Sequence, residues 1–127
     1  MWIENSFVNF YIDNTKASVG STILKQKVIW QKWPDYTQLQ VESIDFSLWL
    51  KNSFKSEDEI ILKMDIEGAE YDILNKMIKD ETIKLIKKLF IEWRRKKVGI
   101  SKSTHEKMVN KIKQYVFIEY WDGLNYM

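Results

Sequence analysis

Apolar and polar positions along the chain follow two rhythms, and where they change marks the expected elements. Phe7 to Ile12 is aromatic and β-branched and is closed by Asp13 and Asn14, which predicts a strand running into a turn. Ser18 to Thr22 is small and polar. Ile23 to Ile29 reads as extended or irregular until Trp33, Pro34 and Asp35 break the pattern. Leu39 and Val41 alternate with Gln40 and Glu42, so a short strand is expected over Gln38–Ile44. Asp45 stops it and suits the N-cap of a helix in which Phe46, Trp49, Leu50 and Phe54 recur at helical spacing.

From Ile60 to Ile66 the chain is almost continuously apolar, interrupted only by Lys63 and Asp65. That is the pattern of a parallel strand buried under helices on both faces. Gly68 ends it, and Ala69 to Lys79 reads as a helix with Ile73, Leu74, Met77 and Ile78 on its apolar stripe. After the short segment Thr82–Ile86, Leu89 to Trp93 gives a second buried strand, and strand, helix, strand implies a right-handed parallel crossover. Ser103 to Glu106 has capping-box spacing ahead of a helix with Met108, Val109 and Ile112 facing inward. Tyr115 to Trp121 is β-prone, and Asp122-Gly123 signals a hairpin turn with Leu124 to Met127 left to pair back. The expected fold class is α/β with a mostly parallel sheet and flanking helices. A chain of 127 residues without a linker or internal repeat is expected to form one domain, 1–127.

Composition narrows the classes of function. With no cysteine, disulfide scaffolds, thiolate zinc sites and cysteine nucleophiles are excluded. No apolar run reaches the roughly 18 residues needed to span a bilayer, and the N-terminus lacks signal-peptide character, so a cytoplasmic protein is expected. The net charge of +2 hides an uneven distribution: from Lys84 to Lys113 there are eleven Lys/Arg against two acids. The densest part, Arg94 to Lys97, is either a solvated surface or a patch that meets phosphate.

Lys63, Asp65, Glu67 and Glu70 crowd the exit of the first buried strand, and Glu92 ends the second. Charge taken out of water costs several kcal/mol unless it is paired, hydrogen-bonded or bound to a ligand. Ligands in open α/β sheets lie beyond the carboxyl ends of the strands, so Asp65, Glu67 and Glu92 are candidates for a convergent acidic site, with Lys63 holding the carboxylates ionised. The alternative is a hydrogen-bonded brace for the strand-to-helix turn, which Gly68 permits. Asp65 is the first candidate for a base, while Glu67 would orient an acceptor or share a divalent cation.

The segment from Ile61 to Leu74, Ile-Leu-Lys-Met-Asp-Ile-Glu-Gly-Ala-Glu-Tyr-Asp-Ile-Leu, resembles the signature of the FkbM methyltransferase family. The resemblance continues through Val19–Leu24, Val41–Asp45, Lys88–Trp93 and Lys97–Ile100, from about Phe7 to the C-terminus. It implies a Rossmann-like, partial class I methyltransferase fold and an S-adenosylmethionine-dependent O-methyltransferase acting on a hydroxyl of a sugar or natural product. In the family a glycine-rich loop and an acidic residue upstream hold the donor. No Gly-x-Gly occurs here, so the chain reads as N-terminally truncated relative to the family, with the acceptor side retained. Similar members often carry Glu-Trp-His where this chain has Glu92-Trp93-Arg94, which replaces an imidazole with a permanent cation.

On the acceptor side, Ser21 and Thr22 could hydrogen-bond a substrate hydroxyl or simply satisfy a turn, and Trp30 and Trp33 are candidate stacking surfaces beside Pro34. Arg94 joins them as a substrate contact, whereas Trp49 and Trp93 fit apolar faces. The lone His105 reads as a solvated residue of a first helical turn. The rival to the enzyme is a non-enzymatic polyanion- or nucleic-acid-binding or assembly module that uses the basic 84–113 stretch. Homo-oligomerisation, or pairing with a missing N-terminal half, is a further expectation from an exposed sheet edge.

Overall fold

The computed structural model of the protein describes residues 1–15 and 20–120. In chain order these form β1 (Ser6–Asp13), α1 (Lys25–Trp30), β2 (Tyr36–Ser43), α2 (Phe46–Ser53), β3 (Ile60–Met64), α3 (Glu70–Lys79), β4 (Ile86–Ile91), α4 (Lys102–Lys113) and β5 (Phe117–Tyr120). Short 3-10 turns at Thr82–Leu85 and Arg95–Val98 lead into β4 and follow it. The expectations at Ser18, Val19, Trp121 and the Asp122-Gly123 hairpin lie outside the described residues.

Two sheets replace the single one expected. β3, β4 and β5 form a parallel sheet in that order, aligning Leu62, Leu89 and Ile118 across the three strands. β1 and β2 instead make a separate antiparallel ribbon, pairing Phe10 with Leu39 and Asp13 with Tyr36. Burial alternates along β1, as suits a ribbon with one wet face. The molecule is thus a mixed α/β protein with a three-stranded parallel sheet and flanking helices.

The core lies on one face of that sheet. Met64, Leu89 and Ile91 are buried against Leu74 and Met77 of α3, Met108 and Ile112 of α4, and Leu50 of α2. The opposite row is open, with Ile61 64% exposed and Phe117 63% exposed. The expectation that β3 is covered on both faces is therefore corrected. Alternate strand residues point to opposite faces, and the buried stripes of α2, α3 and α4 all join the core cluster that contains Leu89 and Ile91.

Three local readings also change. Lys25–Trp30 is helical where an extended or irregular run was expected. Val28, Ile29 and Trp30 are weak helix formers, and the turn is started instead by Thr22, whose hydroxyl accepts from the Leu24 amide at 3.1 Å. α4 is capped by Ser101, which accepts from the Thr104 amide at 3.1 Å, so the cap lies two residues before Ser103. The left-handed Gly99 (φ +71°) reverses the chain just ahead of it. Trp49, expected on an apolar face, is exposed at the edge of α2, stacked on Phe46 and set edge-on to Phe54. Asp45 caps α2 as expected, accepting from the Leu48 amide at 3.0 Å.

Candidate acceptor site at the carboxyl ends of the parallel strands

The parallel pairing of β3 with β4 brings their carboxyl ends side by side, and Asp65 and Glu67 leave one as Glu92 leaves the other. The chain between β3 and α3 turns sharply. Glu67 is left-handed at φ +56° and Gly68 follows at φ +112°. A Cβ on Gly68 would lie 2.4 Å from Val98 Cγ1, so only glycine fits. Glu70, the first helical residue of α3, folds back beneath this turn. It is fully buried, and its carboxylate accepts from the Ile66 amide at 2.9 Å and the Gly68 amide at 2.8 Å. Burial raises its pKa, while those two amides act in the opposite sense. The brace foreseen for Lys63, Asp65 and Glu67 is thus supplied by Glu70, a residue whose charge at a helix start disguises it as a surface acid.

Arg94 is the hub of the acidic cluster. Its guanidinium lies 3.0 Å from Glu92, 2.9 Å from Glu67 and 3.6 Å from Asp65. Nε of the same side chain is buried without a hydrogen-bond partner. On the far side of Glu67, Lys27 of α1 reaches the second carboxylate oxygen at 2.5 Å and the Gly20 carbonyl at 2.5 Å. Lys27 is 1% exposed and was not singled out by the sequence, because its spacing from Glu67 is set by the fold alone. Burial lowers the Lys27 pKa against the opposing pull of Glu67. Burial would raise Glu67, but the Lys27 hydrogen bond and charge, with Arg94 and Lys97, outweigh it and hold this carboxyl below its ordinary value.

Glu92 moves the other way. Burial is the main cause, and the neighbouring Asp65 and Glu67 carboxylates add to it, against the Arg94 charge. A hydrogen bond with Asp65 contributes in the same direction. Lys63 lies on the exposed row of β3, paired in register with Phe90. Lys27 and Arg94 are cations that sit directly on these carboxylates, a role in which the sequence pointed to Lys63. Among the described residues no group of three His, Cys, Asp or Glu side chains is disposed to hold a metal ion.

Ser21 and Thr22 join Asp65, Glu67, Phe10 and Ile23 around a recess of about 240 Å³. Thr22 is buried and fully engaged: it bridges to Tyr11, and its hydroxyl donates to the Glu67 carbonyl at 3.0 Å. Trp33 sits beside the cluster, with the Lys27 ammonium 5.8 Å from a ring centre. Trp30 is 62% exposed, and its ring covers the Gly99 backbone. Trp93 lies against Tyr71 and His105, which share a hydrogen bond of 2.8 Å between Oη and Nδ1. His105 is therefore half-buried rather than solvated, and burial, with Arg95, lowers its pKa.

The basic stretch is partly neutralised by partners both near and distant in sequence. Lys84, Lys87, Lys88 and Lys102 pair with Glu81, Glu59, Glu119 and Glu106, and Arg94 turns inward to its three acids. No helix among the described residues is long and apolar enough to cross a membrane.

Comparison with known proteins bears on what this arrangement is for. No curated protein and no solved structure matches the chain. Residues 2–119 match the methyltransferase FkbM domain, and with nearly the whole chain covered, two parallel strands delivering their acids to one mouth belong to a member of the FkbM methyltransferase family.

Proposed function

We propose that the chain carries the acceptor side of an O-methyltransferase site, acting on a hydroxyl of a sugar or natural product. The observation that carries this reading is the meeting of Asp65, Glu67 and Glu92 around Arg94 at the ends of two adjacent parallel strands. S-adenosylmethionine is the donor implied by the family, and it would supply an electrophilic methyl group. The recess beside Asp65 holds about 240 Å³, below the roughly 300–1,000 Å³ of ordinary cofactor sites, and no glycine-rich loop follows a strand.

The chain's residues act on the acceptor. A hydroxyl becomes a competent nucleophile as its proton leaves, and a carboxylate within hydrogen-bond reach accepts it. Asp65, the most open of the three acids, receives that proton, and Glu92 shares it. Glu67 is locked between Lys27 and Arg94 and orients the group rather than titrating. Arg94 keeps three acids together that would otherwise repel, so the cation that replaces the family's imidazole has a defined task.

The test is transfer of labelled methyl from millimolar S-adenosylmethionine to a panel of hydroxyl compounds, beside calorimetric titration with S-adenosylhomocysteine. Label on oxygen is expected, and Asp65→Asn should lower the rate by roughly 10²–10⁴-fold while leaving the unfolding midpoint in place. An undiminished Asp65→Asn variant overturns the base assignment. Failure of the wild type to transfer label or take up the homocysteine analogue overturns stand-alone activity.

A further inference from the structure

Beside the acidic mouth lies a second cleft of opposite charge. It measures about 340 Å³ and is walled by Trp93, Arg95, Lys96, Lys97, His105 and Tyr120, with Arg94 as the partition between it and the carboxylates. Its position follows from the sheet: Trp93 and Arg95 to Lys97 come just after β4, and Tyr120 is the last residue of β5, so the cleft too opens at the carboxyl ends of parallel strands. Arg95, Lys96 and Lys97 have no ion pair with an acidic side chain within 4.0 Å among the described residues, as is also true of Lys107, Lys111 and Lys113, but they alone of these line a cleft, and Arg95 donates to the Ile100 carbonyl at 3.3 Å. Three cations without an ion pair inside 4.0 Å are held together by one short 3-10 turn, Arg95–Val98, over a floor of aromatic rings. His105 adds a ring nitrogen to the wall, and burial and Arg95 lower its pKa.

Repulsion among close cations is relieved by an anion, and a tetrahedral phosphoryl group is well matched to several N–H donors converging on it. The rings of Trp93 and Tyr120 offer an apolar face of the kind on which a sugar ring rests. The space suits one phosphoryl group and one sugar, not a nucleic acid duplex.

We propose that this cleft binds the phosphoryl group of the acceptor, and that the substrate class is a phosphorylated sugar or similar phosphate-bearing hydroxyl compound. This rests on the methyltransferase reading for its purpose, but not for its binding chemistry. The phosphate is held by Arg95, Lys96 and Lys97, and across the Arg94 partition a hydroxyl of the same molecule reaches Asp65 and Glu92. One acidic and one basic compartment thereby select an acceptor that carries both an anion and a free hydroxyl.

The experiment is direct binding without any methyl donor, which keeps it separate from transfer. A hexose 6-phosphate, the parent hexose, inorganic phosphate and a short single-stranded oligonucleotide are titrated into the full chain by calorimetry at low and moderate salt. The hexose phosphate is expected to bind at least tenfold tighter than the hexose and than inorganic phosphate. The double variant Lys96→Gln/Lys97→Gln should lose about tenfold or more for the hexose phosphate, with the weak hexose affinity and the unfolding midpoint unchanged. Equal binding of hexose and hexose phosphate, equal binding of inorganic phosphate, or an unaffected double variant overturns the proposal. Tighter, steeply salt-dependent oligonucleotide binding overturns it in favour of a nucleic acid surface. Phosphate-dependent binding in a protein that transfers no methyl leaves the anion site standing and removes only the methyltransferase reading.

Discussion

Glu67 is gripped from opposite sides by Lys27 and Arg94, and its backbone is held in the left-handed region as well. A non-glycine residue there stores strain, which the two ion pairs and the Glu70 brace beneath offset. Removing one partner of a buried ion pair costs more than replacing both, because the remaining charge is left unpaired. Glu67→Ala should therefore destabilise the protein by about 3–5 kcal/mol in urea unfolding, and Lys27→Met/Glu67→Gln together by clearly less. A Glu67→Ala loss below about 1 kcal/mol would show that Lys27 finds water instead. The same contacts set a pH dependence. The Glu67 carboxyl lies below its ordinary value of 4.5, so its contribution is complete above that value and is lost as pH falls through the lowered one. Lys27 is shifted at the alkaline end and does not enter this window. The stability slope below pH 4.5 should accordingly be flatter in Lys27→Met/Glu67→Gln than in the wild type, since the variant lacks this depressed carboxyl. An identical slope in the variant would assign that loss to other acids.

Helix boundaries show how far local pattern carries. At α2 the polar residue before the apolar stripe is Asp45, and the cap is where the pattern puts it. At α4 several hydroxyls precede the stripe, and Ser101, Ser103 and Thr104 are each chemically able to cap. The choice falls to Ser101 because Gly99 turns the chain and Ile100 packs onto the core, so helical geometry begins at Lys102. Ser101→Ala should cost about 0.5–2 kcal/mol and Ser103→Ala at most a few tenths, measured by chemical denaturation. The reverse order would restore the cap to Ser103. α1 shows the opposite case. Its apolar residues are poor helix formers, and it is held by the burial of Lys27 and Val28 and by the Thr22 hydroxyl at its start. No period of 3.6 announces six residues whose most buried member is a lysine.

For the molecule as a whole, the informative asymmetry is between the two faces of the parallel sheet. The continuous apolar run Ile60 to Leu62 suggests burial on both sides, yet the core cluster takes Leu62 and leaves Ile61 outside. Ile61→Thr should change stability by no more than about 0.5 kcal/mol, whereas Leu89→Ala, at a fully buried position of the neighbouring strand, should cost about 2–5 kcal/mol. A large loss at Ile61, read by urea unfolding in dilute solution, would mean that its face is covered there. The same sheet sets the charge map: its carboxyl end carries an acidic mouth and a basic cleft separated by Arg94.

The sequence by itself determined the crossover of β3, α3 and β4, the family, and the placing of Asp65, Glu67 and Glu92 at the carboxyl ends of the strands. Each follows from local spacing: an apolar run, a glycine at the turn, a helical stripe, and acids placed at strand ends. The tertiary structure alone decided which cations meet those acids. Lys27 is 40 residues from Glu67 and Arg94 is 27, and a basic side chain reads alike whether it solvates a surface or is drawn inward. Ion pairing acts through space over a few ångströms, so its partners become definite only once packing has fixed the distances.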